Sequence, residues 1–107
     1  MQMKNTDRVL CEIARERDRQ VGQEGWTEAH DDSHAGGEMA QAAGCYALNA
    51  GLSEAARMPL GYAPRDWPWD AKWWKPSTPR RDLVKAAALI VAEIERLDRA
   101  AAMSASQ

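Results

Sequence analysis

Residues 24–38 read EGWTEAHDDSHAGGE and hold both histidines of the chain, His30 and His34, together with Asp31, Asp32 and Glu38. Imidazole donates, accepts or shuttles a proton near neutral pH. Neighbouring carboxylates can accept hydrogen bonds from hydroxyls and ring N–H groups or ligate a hard cation. A second run at 66–76, DWPWDAKWWKP, carries four of the five tryptophans, Trp67, Trp69, Trp73 and Trp74, with Lys75 at its end. Acids, imidazoles, flat aromatic faces and a lysine suit a small polar ligand that carries a ring, such as a nucleotide. A base stacked on an aromatic face is worth roughly 1–3 kcal/mol.

Three chemistries compete for the histidine run. On one continuous helix His34 and Glu38 are four residues apart and Asp31 lies a turn before His34, so the three share a face. The His30–His34 spacing resembles the H-E-x-x-H zinc motif with Asp in the Glu position, but the chain has no third histidine to complete a common zinc set. A magnesium site is the second possibility, with Asp31, Asp32, Glu38 and Glu93 as oxygen ligands for phosphoester hydrolysis. The third places a phosphate or ribose near a helix start, where free backbone N–H groups favour anions. Arg17 and Gln20 reach it from the first helix, and Arg81 and Lys85 from the last. The plainer alternatives are that Asp31 and Asp32 only cap a helix and that the basic residues are solvated surface charges. Of the loop tryptophans, two are expected to pack over the core and one or two to face a pocket. Trp26 is a further wall, and Lys75 approaches a phosphate.

The elements that must position these groups are helical. Residues 7–21 predict helix one, capped by Thr6 or Asp7, with Val9, Leu10, Ile13, Ala14 and Val21 as its apolar stripe. Helix two is predicted to begin between Thr27 and Asp32 and to run to about Asn49, with Met39, Ala42, Ala43, Tyr46 and Ala47 facing inward. Gly36, Gly37 and Gly44 each cost about 1 kcal/mol in a helix, a cost easier to understand where another group approaches closely. Pro59, Pro64, Pro68, Pro76 and Pro79 make residues 51–79 a long connection, with one helical turn near Trp69–Trp73. Helix three starts at the Thr78 cap with Pro79 in its first turn and runs to about Ala101, leaving 102–107 as a frayed tail. Leu83, Ala87, Ile90, Ile94, Leu97 and Ala101 line one face, with Val84 and Val91 beside it. The fold class is therefore all-α: a compact single-domain bundle of three main helices over residues 1–107, with a Trp/Pro-rich loop closing one side. The ligand pocket is expected between the start of helix two, the loop and the start of helix three.

Composition narrows the partners. A chain of 107 residues forms one domain, and with no phenylalanine and many alanines its core is thin. A homo-oligomer is expected, because association adds burial. The net charge of −2 lacks the basic footprint of a duplex-DNA binder, yet arginine supplies ten of the fourteen basic residues, which keeps a local phosphate site open. Cys11 and Cys45 have no metal-type spacing and read as reduced, buried small hydrophobes. Residues 1–20 are charged throughout, and no apolar run approaches the ~20 residues that span a bilayer. A cytoplasmic protein without a membrane partner is expected.

Taken together, ERDRQ (16–20), EGWTEAHDDSH (24–34), GEMAQAA (37–43), WPWDAKWWKP (67–76) and RRDLVKAAALIVAEIERLDR (80–99) resemble the blocks of a family of uncharacterised small phage and prophage proteins. Ala29 stands where that family has Glu, and Met39 where it has Leu. The resemblance implies a phage context, hence the host cytoplasm, and assigns no catalytic residue. The acid-rich helical layout is also loosely similar to the MazG-type nucleotide pyrophosphohydrolases, which hold magnesium with E-x-x-E and E-x-x-D pairs. Glu12 and Glu16 are four apart here and Glu95 and Asp98 sit near a helix end, so that pattern is not reproduced. The expected function is binding of a nucleotide or nucleotide-derived signal without a cofactor, in the service of sequestering a host-defence messenger. Two rivals stand beside it: an inhibitor or adaptor that engages a host defence protein through the tryptophan loop, and a magnesium-dependent nucleotide hydrolase.

Overall fold

The computed structural model describes residues 4–106. Four α-helices follow one another: α1 (Asn5–Glu24), α2 (Glu28–Asp32), α3 (Glu38–Ala50) and α4 (Pro79–Ala105), with a 3-10 turn at Ala71–Trp73 before the last. There is no strand among the described residues, and none of the helices is long and apolar enough to cross a membrane. The all-α architecture matches the sequence expectation. Every other helix packs on α4: α3 most extensively, α1 across it, and the short α2 at its far half.

The helix predicted over residues 27–49 is two helices. Thr27 caps α2, its hydroxyl accepting from the His30 N–H at 3.3 Å. After a few residues the chain stops: the Ser33 hydroxyl donates to the His30 carbonyl at 2.6 Å, and Gly37 turns with φ 90°. That left-handed conformation costs an L-residue roughly 1–2 kcal/mol, so the glycine pair reorients the chain where an amphipathic pattern alone would continue it. A Cβ on Gly36 would lie 2.6 Å from a Glu38 carboxylate oxygen, the movable end of a side chain, so no fixed neighbour demands glycine there. At Gly44 a Cβ would meet nothing within 4 Å.

Helix registers also differ from the apolar pattern. In α4 the stripe Leu83, Ile90, Ile94 and Leu97 is about half exposed, whereas Asp82, Val84, Ala86, Ala88, Leu89, Ala92 and Arg96 are buried. The small side chains of that second face admit α3 closely, and Ala42 and Ala43 meet Ala86 and Leu89 in one core cluster. In α1, Val9, Leu10, Ala14 and Val21 are exposed, while Glu16 and Gln20 are the buried residues. Ion pairing, not apolar burial, sets that helix on α4, as Arg81 reaches Glu16 and Arg80 forks onto Glu12 at 2.8 and 2.9 Å. Helix α4 continues to Ala105, past the predicted end near Ala101, because its alanine-rich last turns carry no breaker.

Aromatic packing pins the long connection to α3. Trp74 is completely buried and stacks on Tyr46, with ring centroids 4.7 Å apart, and Trp67 closes on both rings edge-on. The Tyr46 hydroxyl accepts from the Lys75 N–H at 3.1 Å, and Lys85 donates to the Lys75 carbonyl. Farther back, Asn49 exchanges two hydrogen bonds with the Met58 backbone. These loop backbone groups are thereby paired, as a compact connection requires, whereas the Trp69 and Trp74 indole N–H groups are buried without a hydrogen-bond partner.

The two glycines give opposite expectations. Gly37→Ala should lower stability by about 1–2 kcal/mol, since alanine must adopt the left-handed conformation. Gly44→Ala should raise it by roughly 0.5–1 kcal/mol, since the helix interior is open there and alanine has the better propensity. Urea unfolding of both variants checks this, and shifts of the same sign would contradict the helix break.

Candidate functional site

The loop and the helices enclose two adjoining cavities that share Glu24, Trp26 and Trp73 as common walls. One, of about 320 Å³, is aromatic: His30, His34 and Trp69 complete its lining with Asp70 at the rim. The other, of about 210 Å³, is charged and is lined by Glu16, Arg19, Gln20, Lys75, Arg81 and Lys85, with Tyr46 and Ser77.

In the aromatic cavity the rings support one another. Trp26 and His30 are nearly parallel, with centroids 5.9 Å apart, and His30 leans on His34 at 4.6 Å. Trp69 meets His34 edge-on at 5.4 Å and Trp26 at 5.5 Å. Each imidazole is oriented by a carboxylate: His30 Nδ1 lies 3.0 Å from Asp31, and His34 Nδ1 lies 3.0 Å from Glu38. A carboxylate at Nδ1 favours the proton there, so the neutral ring presents Nε2 as an acceptor.

Asp31 and Arg17 hold this wall from behind. Asp31 is 1% exposed and accepts from Arg17 at 2.8 Å, and Arg17 also donates to the Trp26 carbonyl at 3.2 Å and to Glu95 at 3.3 Å. The pair fastens α2 and the Trp26 backbone to α1, so neither residue is placed to touch a ligand as the sequence had implied. Asp32 is likewise turned away, bound to Arg99 at 2.8 Å. Glu38 braces His34 and does not line the cavity. The four carboxylates of the magnesium alternative are spread over four basic partners: Asp31 on Arg17, Asp32 on Arg99, Glu38 on His34 and Glu93 on Arg96. Among the described residues no three His, Cys, Asp or Glu side chains converge to hold a metal ion.

Trp67 and Trp74, both predicted as possible ligand contacts, are core residues at 8% and 0% exposure. Their rings are consumed by packing on Tyr46, and the Trp67 indole N–H donates to the Asp70 carbonyl at 3.1 Å. Trp69 and Trp73 are the pair that faces the cavity, and Lys72 and Lys75 approach the Trp73 ring at 5.6 and 5.4 Å.

The charged cavity is organised around Glu16. Its carboxylate, 1% exposed, accepts two hydrogen bonds from Arg19 at 2.8 Å each and a third from Arg81. Burial alone would raise its pKa, but the Arg19 hydrogen bond and the charges of Arg19, Arg81 and Lys85 outweigh it and hold the group below its ordinary 4.5. Glu24 is lowered in the same way, with burial outweighed by Lys75 and Arg19. Burial depresses Lys85 and lifts the Tyr46 hydroxyl to about 12. Four basic side chains, Arg19, Lys75, Arg81 and Lys85, face two carboxylates, Glu16 and Glu24, so the lining is net positive. The Gln20 Oε1 atom is buried there without a hydrogen-bond partner, although its amide nitrogen donates to Glu16 at 3.3 Å.

Of the predicted ligand residues, the cavities bring together Gln20, Trp26, His30, His34, Trp69, Trp73, Lys75, Arg81 and Lys85. Sequence reasoning missed Glu16, Arg19, Glu24, Tyr46, Asp70 and Ser77. A signal for the first three existed: Glu16, Gln20 and Glu24 are four apart in α1, with Arg19 one turn from Glu16, and so form a polar stripe on one helix face.

Two measurements test this site architecture. Because the folded-state pKa of Glu16 is lowered, its contribution to stability is complete above pH 4.5 and is lost as pH falls through the folded value. The stability difference between wild type and Glu16→Gln should therefore narrow between neutral pH and pH 3, as read by urea titration. Trp74→Ala should cost roughly 3–5 kcal/mol as a core truncation, whereas Trp73→Ala on the cavity wall should cost under about 1.5 kcal/mol. Equal losses for the two would place them in the same environment and contradict the assignment.

Set against protein-family models, curated proteins and solved structures, the chain matches none of them.

Proposed function

We propose that this protein binds a nucleotide or nucleotide-derived small molecule in the double cavity, as a binding protein and not as an enzyme. The observation that carries the proposal is the adjacency itself: an aromatic chamber lies beside a net-positive one, with Glu24, Trp26 and Trp73 as shared walls. That juxtaposition has the two halves that a base and a phosphate need. The base stacks against Trp69, Trp73 or Trp26. His30 and His34 accept from exocyclic amines or ribose hydroxyls through Nε2. Arg81, Lys75, Lys85 and Arg19 meet the phosphate, which replaces part of their pairing with Glu16 and Glu24. Gln20 Oε1 supplies an acceptor for a ligand hydroxyl.

The dispersal of Asp31, Asp32, Glu38 and Glu93 over separate partners favours binding over magnesium-assisted hydrolysis. The inward packing of Trp67 and Trp74 likewise weakens the case for the loop as an aromatic plug for a host protein. The phage-type resemblance supports the cellular role: a small binder that withdraws a nucleotide messenger of host defence.

The protein is incubated with a nucleotide panel that includes cyclic dinucleotides and ADP-ribose derivatives, with and without magnesium, then denatured, and the released material is identified by chromatography. One nucleotide should be depleted from solution and recovered intact. Trp73→Ala and Arg81→Ala should each weaken its binding at least tenfold, which corresponds to about 1.4 kcal/mol. Recovery of a converted nucleotide would make the protein an enzyme, and no depletion across the panel would remove the ligand assignment.

A further inference from the structure

The large aliphatic residues of α4 that the core leaves out are not scattered. Leu83, Ala87, Ile90, Ile94, Leu97 and Ala101 recur at alternating intervals of four and three, the seam of a coiled coil. All lie on the helix face opposite the alanine face that receives α3, and Leu83, Ile90, Ile94 and Leu97 are 48–52% exposed. Val91 widens the seam at 38% exposure. At its N-terminal end Val9 and Ile13 of α1 join Leu83 and Val84 around a shallow apolar cavity of about 200 Å³.

We infer that this seam is the interface of a homodimer, with α4 packed against α4 of a second copy. Shape and surface area point to a second copy as the occupant. The molecule is a slab, 51 × 43 × 22 Å. It exposes 6952 Å², whereas a monomeric protein of this mass exposes roughly 6,000 Å². The surplus is on the order of the ~800 Å² that each partner buries in a standard interface. A self-complementary seam closes on itself by two-fold symmetry and leaves no edge to propagate. Charge favours the antiparallel arrangement: Arg80, two-thirds exposed beside Glu12, stands at one end of the seam, and Asp98 at the other, where Arg99 is tied to Asp32. Antiparallel helices set each basic end beside the partner's acidic end, whereas parallel helices would stack like on like. With the two-fold near Ile90, Leu83 lies opposite the partner's Leu97, and Ala87 opposite the partner's Ile94, a small residue against a large one.

Sedimentation equilibrium of the full chain at tens of micromolar should give twice the chain mass of 11.9 kDa. Ile90→Asp with Ile94→Asp should give a monomer with unchanged far-UV circular dichroism, because both side chains are exposed in the single chain. Leu48→Asp, at an apolar residue exposed elsewhere (76%), should leave the dimer intact. Asp98→Lys should weaken association severalfold if the helices are antiparallel. A wild-type monomer, a dimer that survives the double substitution, or a dimer lost through Leu48→Asp would each overturn the interface. Tighter association of Asp98→Lys would overturn the antiparallel arrangement.

Discussion

The stack of Trp74 on Tyr46 is the contact on which the rest of the structure depends. It converts a proline-punctuated connection, which has no regular hydrogen bonding of its own, into a wall with defined positions. Proline removes donors and restricts φ, so such a segment acquires order from side-chain burial and not from a backbone ladder. Once Trp74 is buried, Lys75 is fixed against the Tyr46 hydroxyl, and Trp73 and Trp69 on the same short stretch are carried to the mouth of the cavities. Trp67 closes the stack from the other side. Two tryptophans are thus spent on placing two others.

Helix α1 is held by a different kind of force. Val9, Leu10, Ala14 and Val21 face solvent, Cys11 and Ile13 are half-buried, and a buried carboxylate shared by Arg19 and Arg81 joins the helix to α4. A buried charge survives only when its hydrogen-bonding capacity is met, and here two guanidinium groups and the Gln20 amide meet it. The arrangement explains why a polar cavity exists beside a small core at all. The same residues that anchor the helix line the cavity. An anion bound there, as the proposed function has it, would compete with buried Glu16 and with Glu24 for those arginines.

The two faces of α4 divide the work of burial by side-chain size. Alanines let α3 approach closely, and the chain's larger aliphatics are displaced to the opposite face, where they form a repeating seam. A domain with no phenylalanine has little else to bury, and association through that seam would supply the area that the monomer lacks.

Local chemistry made much of this legible beforehand. Thr78 and Pro79 start α4 as their types require, the loop contains its helical turn, and the two runs rich in histidine and tryptophan do meet around a cavity. Those features depend on short-range preferences or on unusual composition, which a linear reading detects. Amphipathic periodicity failed where two faces of one helix were both apolar, because the period says that a face is apolar but not which neighbour will cover it. It failed again at Gly36–Gly37, where backbone conformation overrode the pattern. Which tryptophans pack and which face the cavity, and that Asp31 braces while His30 presents, were decided only by the tertiary structure. Those roles rest on contacts between residues far apart in the chain, such as Tyr46 with Trp74 and Glu16 with Arg81, whose energies exist only once the helices have been brought together.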